Sequence, residues 1–142
     1  MVDRLIFVHQ VMPVQMLAWV IMPEHVHLLV RPTGHRVEIQ DYLKKLKTRF
    51  ARQMLDRWRD HDASILGRLQ DQSGRSHFWQ AGGGYDRNIV SEDEFIEKLN
   101  YIHANPIKRK LVTSPEQWRW SSARHYLGLS CVGPAIDPVR CD

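Results

Sequence analysis

The stretch IMPEHVHLLVRP, residues 21–32, contains two histidines one residue apart within a run that is otherwise largely apolar. In a β-strand, side chains at positions i and i+2 project from the same face. His25 and His27 therefore point together, while Val26 and Leu28 point to the other face. Two imidazoles on one face can both reach a single divalent cation, although a pair of half-exposed strand histidines is the ordinary alternative.

The neighbouring sequence predicts that this strand has an antiparallel partner. Residues 15–21 (QMLAWVI) are apolar apart from Gln15, as expected of a buried central strand. Pro23 lies in the break that ends this run, and HVHLLVR at residues 25–31 follows as the second strand. Because the link between the two runs is short, we expect them to pair antiparallel.

Two amphipathic helices are predicted further along the chain. Apolar residues recur at helical spacing over residues 37–55, with the basic residues largely on the opposite side. Ser91 and Glu94 form a capping box that begins a second helix, which we expect to run to about residue 104 and to stop at Pro106. The remaining segments are predicted as a loop or frayed helix (56–76), a short strand (77–80, HFWQ) and a glycine-rich turn (81–88).

Strands interspersed with two helices predict an α+β fold, in which the helices pack on one face of a small antiparallel sheet. A chain of 142 residues is long enough for one such domain. We assign residues 1–130 to this domain and residues 131–142 to an irregular C-terminal tail.

The composition is that of a soluble globular protein, with 43% hydrophobic and 25% charged residues. No apolar run reaches the length of a membrane span, and the N-terminal segment lacks the plan of a signal peptide, so we expect a cytoplasmic location. Cys131 and Cys141 have no CxxC spacing and are expected to be reduced and without a structural role.

Basic residues are concentrated in two places, in a chain whose net charge is +4. Such clusters are typical of nucleic-acid binding, although a solvated basic face is the alternative for either cluster taken alone. The first consists of Lys44, Lys45, Lys47, Arg49 and Arg52, and the second of Lys108, Arg109, Lys110, Arg119 and Arg124.

The second predicted helix, which includes EFIEKLNYIHANP at residues 94–106, carries candidate partners for the two histidines. Tyr101 lies off its apolar stripe and above Asn105, at the i, i+4 spacing that makes neighbours on a helix. The Asn105 amide oxygen is a candidate third metal ligand, although asparagine before proline also commonly ends a helix. His103 is predicted to have a packing or capping role. The apolar stripe, which should pack on the sheet, consists of Phe95, Ile96, Leu99 and Ile102.

Four motifs in order, MPEHVHLLV, FWQAGGGYDRNI, YIHANPIKRKLV and WRWSSARHY, resemble those of the single-tyrosine HUH transposases, and most closely those of the REP-associated tyrosine transposases of bacteria. The matching segments span residues 17–126. The resemblance implies a ferredoxin-like, RRM-like fold. It also makes His25 and His27 the paired metal ligands, Tyr101 the nucleophile and Asn105 the third ligand. Tyr85 is a competing nucleophile, but it lies in a predicted loop without an i+4 partner.

The function implied by this resemblance is metal-dependent cleavage and strand transfer of single-stranded DNA. The substrate would be hairpin or palindromic DNA, the cation Mg²⁺ or Mn²⁺, and the intermediate a 5′-phosphotyrosine, in a monomer or homodimer. The basic clusters and Arg87 would hold the DNA backbone. Four tryptophans are candidates for base stacking, of which we expect the second and fourth to lie in the core: Trp58, Trp79, Trp118 and Trp120.

The N-terminus departs from the pattern of this family. Its members usually begin with a further strand and loop, whereas here RLIFVHQVMP resembles the end of the first helix. Either that strand is absent, or N-terminal residues substitute for it, or the chain is a truncated remnant. A catalytically decayed or domesticated hairpin-DNA-binding module is therefore the alternative function. A histidine-triad nucleotide hydrolase is a weaker rival, because its third histidine would fall at Leu29.

Overall fold

The computed structural model describes residues 1–33, 37–61, 64–80 and 87–139. Two compact units are present, one formed by Met1–Ile39 with Asn88–Asp142 and the other by Gln40–Arg87. Among the described residues, no helix combines the length and the apolar character needed to cross a bilayer. In chain order the elements are α1 (Val2–Val11), β1 (Val14–Ile21), β2 (Val26–Pro32), α2 (Ile39–Asp60), α3 (Ile65–Arg68), α4 (Glu92–Lys108), a 3-10 turn (Pro115–Gln117) and α5 (Ala123–Tyr126).

The sheet of the first unit is built on β1, which pairs antiparallel with β2 as predicted. His27 lies opposite Val20 in this pairing. The other edge of β1 is occupied by the chain before α5: the Ile21 N–H donates to the Trp120 carbonyl at 2.8 Å, and the Ser122 N–H donates to the Trp19 carbonyl at 2.9 Å. The strand β1 is therefore central, and β2 carries the histidines beside it.

The helix α4 packs on this sheet and completes the hydrophobic core of the unit, so the predicted α+β arrangement is confirmed. Ile102 is the buried anchor of the helix, with Phe95 and Leu99 packed against the same cluster. The prediction that Ile96 belongs to this apolar stripe is wrong, because 47% of its surface is exposed. The sheet side of the cluster consists of Leu17, Ala18, Val20, Met22 and Leu29.

The predicted N-cap of α4 is confirmed, since the Glu94 N–H donates to the Ser91 hydroxyl at 3.2 Å, and the Glu94 carboxylate accepts from the Val90 N–H at 3.1 Å. The predicted end near residue 104 is wrong, because the helix continues through Pro106 to Lys108. Proline removes one helical N–H bond, but Pro106 is fully buried, and the helix ends regularly with a bond from the Arg109 N–H to the Asn105 carbonyl at 3.0 Å. Burial of this turn therefore outweighs the missing bond, and Asn105 is a helical residue.

The second unit is organised around α2, which continues to Asp60, beyond the predicted end at residue 55. The HFWQ segment does not form the predicted strand. Instead, the Phe78 ring meets Phe50 edge-on at 5.2 Å, and the Trp79 indole N–H donates to the Lys47 carbonyl at 3.0 Å. The composition of this segment is typical of a strand, but its aromatic side chains are partly buried by packing against a helix, so it does not need to join a sheet.

The described part of the C-terminal segment is tied to β1. Asp137 exchanges two hydrogen bonds with Met16: its N–H donates to the Met16 carbonyl at 2.9 Å, and its carboxylate accepts from the Met16 N–H at 2.8 Å. The Trp19 indole N–H reaches the Pro134 carbonyl at 3.3 Å. Gly133 lies so close to the buried Trp19 ring that a Cβ placed there would be 1.9 Å from a ring carbon.

We predict that Gly133→Ala destabilises the protein by about 2 kcal/mol or more, because the added methyl group overlaps a fully buried indole that has no room to move. The measurement is the midpoint of urea unfolding. Gly67→Ala is the matched control, since nothing lies within 4 Å of the added carbon and alanine favours the helix α3. Equal midpoints for the wild type and Gly133→Ala would contradict the close packing of this segment on Trp19.

Candidate functional site

The two histidines converge at the beginning of β2. Their Nε2 atoms are 3.0 Å apart, and the rings meet edge to face with centroids 4.7 Å apart. Val20, which lies opposite His27, belongs to the core that α4 covers. Since directly opposed residues of an antiparallel pair share one face, His27 projects toward α4. The same-face geometry predicted from the sequence is therefore present.

The helix α4 brings Tyr101 and Asn105 to these rings. The Tyr101 ring lies edge to face with His27 at a centroid distance of 5.7 Å, and 44% of the Tyr101 surface is exposed. Asn105 is buried, and its amide nitrogen donates to the Tyr101 carbonyl at 2.8 Å. The Asn105 side chain also lies beside His27 and raises the pKa of that imidazole. Two imidazoles, one phenol and one amide thus meet at the rim of the core.

The electrostatics of this group favour a neutral His27. Burial lowers its pKa, the neighbouring His25 lowers it further, and the polar side chain of Asn105 opposes both effects. A neutral imidazole has a lone pair available for a cation, whereas a protonated one does not. The surroundings of His27 therefore suit a ligand more than a permanently charged group.

The donor set fits a divalent cation. The two Nε2 atoms are hydrogen-bonded to each other at 3.0 Å, and two ligands at about 2.1 Å from one ion, at right angles to each other, would be the same distance apart. The amide nitrogen of Asn105 is engaged with a carbonyl, so its oxygen is the atom left to act as a ligand. In the described ranges no three His, Cys, Asp or Glu side chains form a metal-binding group. An amide is therefore the candidate third ligand.

His103 lies on another side of α4 and has a packing role, in agreement with the prediction. It is buried, and its Nε2 lies 2.8 Å from the Ser122 hydroxyl. That hydroxyl also accepts a hydrogen bond from the backbone N–H of Trp19 at 2.9 Å. Burial lowers the pKa of His103 from 6.5 to about 4. His103 therefore links α4 to β1 in its neutral form.

We predict that this burial makes the protein less stable in mild acid. Between pH 6.5 and 4 the unfolded chain binds a proton at His103 that the folded chain does not, so the free energy of unfolding falls as the pH falls through this window. The loss from this group between pH 7 and 5 is about 2 kcal/mol. Urea unfolding at both pH values should show a correspondingly smaller loss in His103→Gln. Equal losses in the two proteins would contradict a buried neutral imidazole.

Basic residues next to this group contact other side chains of the protein. The Lys108 ammonium lies 4.3 Å from the centroid of the Tyr101 ring. Arg109 forms an ion pair with Glu24, which immediately precedes His25, so the end of α4 is linked to the start of β2. The sequence predicted both basic residues only as phosphate contacts. Because the sequence predicted the helix to stop at Pro106, it did not place Lys108 on α4, and the partners of both residues depend on the tertiary structure.

The basic residues predicted on α2 lie in the second unit. Lys44, Lys45, Arg49 and Arg52 are exposed, and the Lys47 ammonium lies 5.7 Å from the centroid of the Trp79 ring. The opposite side of the helix is buried at Tyr42, Leu46 and Leu55. The predicted division of α2 into an apolar and a basic side is therefore observed. Arg87 and Arg119 are also exposed.

The tryptophans differ in exposure. Trp120 was predicted to lie in the core, which is wrong, because 40% of its surface is exposed and the Arg119 guanidinium lies 5.3 Å from its ring centroid. Trp118 is half-buried, and its indole N–H donates to the Ile21 carbonyl at 2.9 Å. Trp58 and Trp79 are also half-buried. The alternative nucleophile Tyr85 lies outside the described residues.

Comparison with known proteins gives concordant matches. The sequence model of the IS200-like transposase family matches residues 5–105. A predicted REP-associated tyrosine transposase of Haemophilus influenzae is 25% identical over 111 residues, which cover 78% of this chain and 59% of the relative. This chain thus spans about three-fifths of the relative's length.

A solved structure of a REP-associated tyrosine transposase bound to a REP hairpin shares the fold. The TM-score is 0.65 at 19% sequence identity, and the match covers 98% of this chain and 73% of the other. The arrangement of strands and helices described above is therefore also that of a tyrosine transposase fold.

Proposed function

Because the chain belongs to the IS200-like transposase family, we propose that it is a metal-dependent single-strand DNA endonuclease and strand transferase acting on hairpin or palindromic DNA. The observation that carries this proposal is the convergence of His25, His27, Tyr101 and Asn105. A hydroxyl nucleophile beside donors that can bind a divalent cation is suited to transfer of a phosphodiester.

Different residues of the proposed site would bind the cation and position the nucleophile. His25, His27 and the Asn105 oxygen would hold Mn²⁺ or Mg²⁺, and imidazole ligands favour Mn²⁺ as the tighter binder. A divalent cation bound there supplies polarisation of the phosphate and offsets negative charge in the transition state. The buried Asn105 fixes its own helical turn to the backbone of Tyr101, so the third ligand and the nucleophile are positioned together.

In the proposed reaction the Tyr101 oxygen attacks phosphorus and loses its proton. The bond from phosphorus to the 3′ oxygen breaks, and that oxygen takes up a proton to give a free 3′-hydroxyl. The product is a 5′-phosphotyrosine, which retains the phosphodiester linkage, so a second 3′-hydroxyl can displace Tyr101 without a nucleotide cofactor. Two ionisable side chains of α4 are candidates for the base that accepts this proton, but the Glu94 carboxylate accepts from the Val90 N–H at 3.1 Å, and the Lys98 ammonium is paired with Glu97. We assign neither of them as the base.

The substrate class follows from the position of the site. A phosphate can approach imidazoles at the end of a strand most readily if the DNA is unpaired there, beside a hairpin stem. The solved relative is bound to a REP hairpin, which supports the same class of ligand for this chain. The exposed basic residues of α2, with Arg87 and Arg119, would contact the DNA backbone. We place this activity in the cytoplasm, in a monomer or homodimer, with residues 1–130 as the transposase domain.

The test is incubation of the protein with end-labelled hairpin DNA that carries a single-stranded flank, in the presence of Mn²⁺. The expected result is a protein–DNA adduct that resists SDS. It should not form when EDTA is present from the start of the reaction. Hairpin binding without any adduct would overturn the nuclease proposal and indicate a hairpin-binding module instead. Loss of both binding and adduct would exclude both functions for this chain.

A further inference from the structure

Lys108 is a second side chain, besides His27, that contacts the Tyr101 ring. It lies seven residues after Tyr101 on α4, which corresponds to about 10.5 Å along the helix axis. Side chains of a helix lean toward its N-terminus, so the long stem of Lys108 runs back along the helix. Its ammonium nitrogen lies 4.3 Å from the ring centroid, whereas His27 meets the ring at an interplanar angle of 82°.

The neighbouring cations of α4 have carboxylate partners. Lys98 lies 2.5 Å from Glu97, and Arg109 is paired with Glu24. Lys108, by contrast, directs its charge at an aromatic ring at a distance typical of a cation–π contact. The separate partners indicate that the consecutive residues Lys108 and Arg109 do not act as one uniform basic patch.

A restraint on this ring matters because a substantial part of Tyr101 is exposed to solvent. With 44% of its surface exposed, the side chain lacks the packing that fixes a core tyrosine. A tyrosine on a helix has two accessible χ1 rotamers, and in the structure its ring lies against His27. A nucleophile reacts efficiently only when it is held close to the reacting atom in the correct orientation.

We propose that Lys108 is a positioning residue that holds the Tyr101 ring beside His27 through its cation–π contact. This proposal rests on the function proposed above and deepens it. It gives Lys108 a role within the protein, in place of the phosphate contact predicted from the basic cluster. The charge acts through Tyr101 and does not need to touch the DNA.

The kinetic test is the rate of adduct formation at saturating hairpin DNA and Mn²⁺. Lys108→Met, which keeps the length of the side chain but removes the charge, should slow the reaction about fivefold. Lys108→Arg retains a cation for the ring and should restore the rate to within about twofold. Arg59→Met is the matched control, because it removes one positive charge from an exposed residue that lies outside both basic clusters.

Three kinetic results would overturn the proposal: an unchanged rate in Lys108→Met, an equally slow rate in Lys108→Arg, or an equal loss in Arg59→Met. The salt dependence of hairpin affinity provides a further readout. A residue that contacts phosphate reduces the slope of log affinity against log salt by about one when it is neutralised, whereas a positioning residue leaves it unchanged. A reduced slope in Lys108→Met would assign the lysine to the DNA and overturn its positioning role.

A measurement without DNA separates this proposal from the proposed function. The ε-proton resonances of Lys108 should be shifted upfield in the free protein by the ring current of Tyr101, and Tyr101→Leu should abolish the shift. If the wild type forms no adduct, the proposed function is wrong, and Lys108 then has no nucleophile to position. If it forms the adduct but shows no such shift, the Lys108 role alone is overturned.

Discussion

Tyr101→Phe is expected to abolish the SDS-resistant adduct with hairpin DNA, with a loss of at least about a thousandfold relative to the wild type. The substitution removes only the oxygen that would bond to phosphorus. The ring that packs edge to face with His27 at 5.7 Å and faces Lys108 at 4.3 Å is retained. Hairpin affinity, measured by a mobility shift, should therefore remain close to that of the wild type.

The control for this experiment is Tyr126→Phe. The Tyr126 hydroxyl donates to the Leu17 carbonyl at 2.5 Å, so its loss should lower stability by about 1 kcal/mol without affecting adduct formation. An adduct that persists in Tyr101→Phe would contradict the assignment of the nucleophile. Peptide mapping of that adduct, with Tyr85→Phe in parallel, would then decide whether the glycine-rich segment supplies the reacting oxygen.

Those parts of the structure that depend on local periodicity were predictable from the sequence. The alternation of residues 25–31 placed both histidines on one face, and the i, i+4 spacing placed Asn105 one turn after Tyr101. Both relationships follow from backbone geometry, which is the same in every strand and helix. The distance of 3.0 Å between the two Nε2 atoms agrees with this expectation.

Local rules failed where burial outweighed them. The sequence signal at Asn105 and Pro106 predicts a helix end, but both residues are buried and the helix continues to Lys108. This difference matters for the site, because the extra turn places Lys108 over Tyr101. The strand predicted for the HFWQ segment is absent for a related reason, since its aromatic residues pack on α2.

The contact partners of individual side chains could not be predicted from the sequence. Gly133 is far from Trp19 along the chain, and nothing in the local sequence indicates that its missing side chain makes room for an indole. Glu24 and Arg109 are 85 residues apart, yet their ion pair connects the histidine strand to the tyrosine helix. Such pairs are set by the packing of whole elements, which periodicity does not specify.

The second large effect is expected for the histidines. His25→Ala or His27→Ala should lower the rate of hairpin cleavage by at least about a hundredfold, because each removes one imidazole from the donor set proposed for the cation. Hairpin affinity should stay within a few-fold of the wild type, since the exposed basic residues proposed to contact the backbone lie elsewhere in the sequence. His125→Ala, at an exposed histidine of α5, is the control.

Binding of Mn²⁺ without DNA provides the decisive readout, because it does not depend on activity. In an electron paramagnetic resonance titration, each of the two variants should bind Mn²⁺ much more weakly than the wild type, whereas His125→Ala should match it. Circular dichroism spectra should be unchanged, since both histidines lie at the partly exposed end of β2. If cleavage and hairpin binding fell together while Mn²⁺ affinity was unaltered, the imidazoles would be structural. The cation would then have to be bound by other groups.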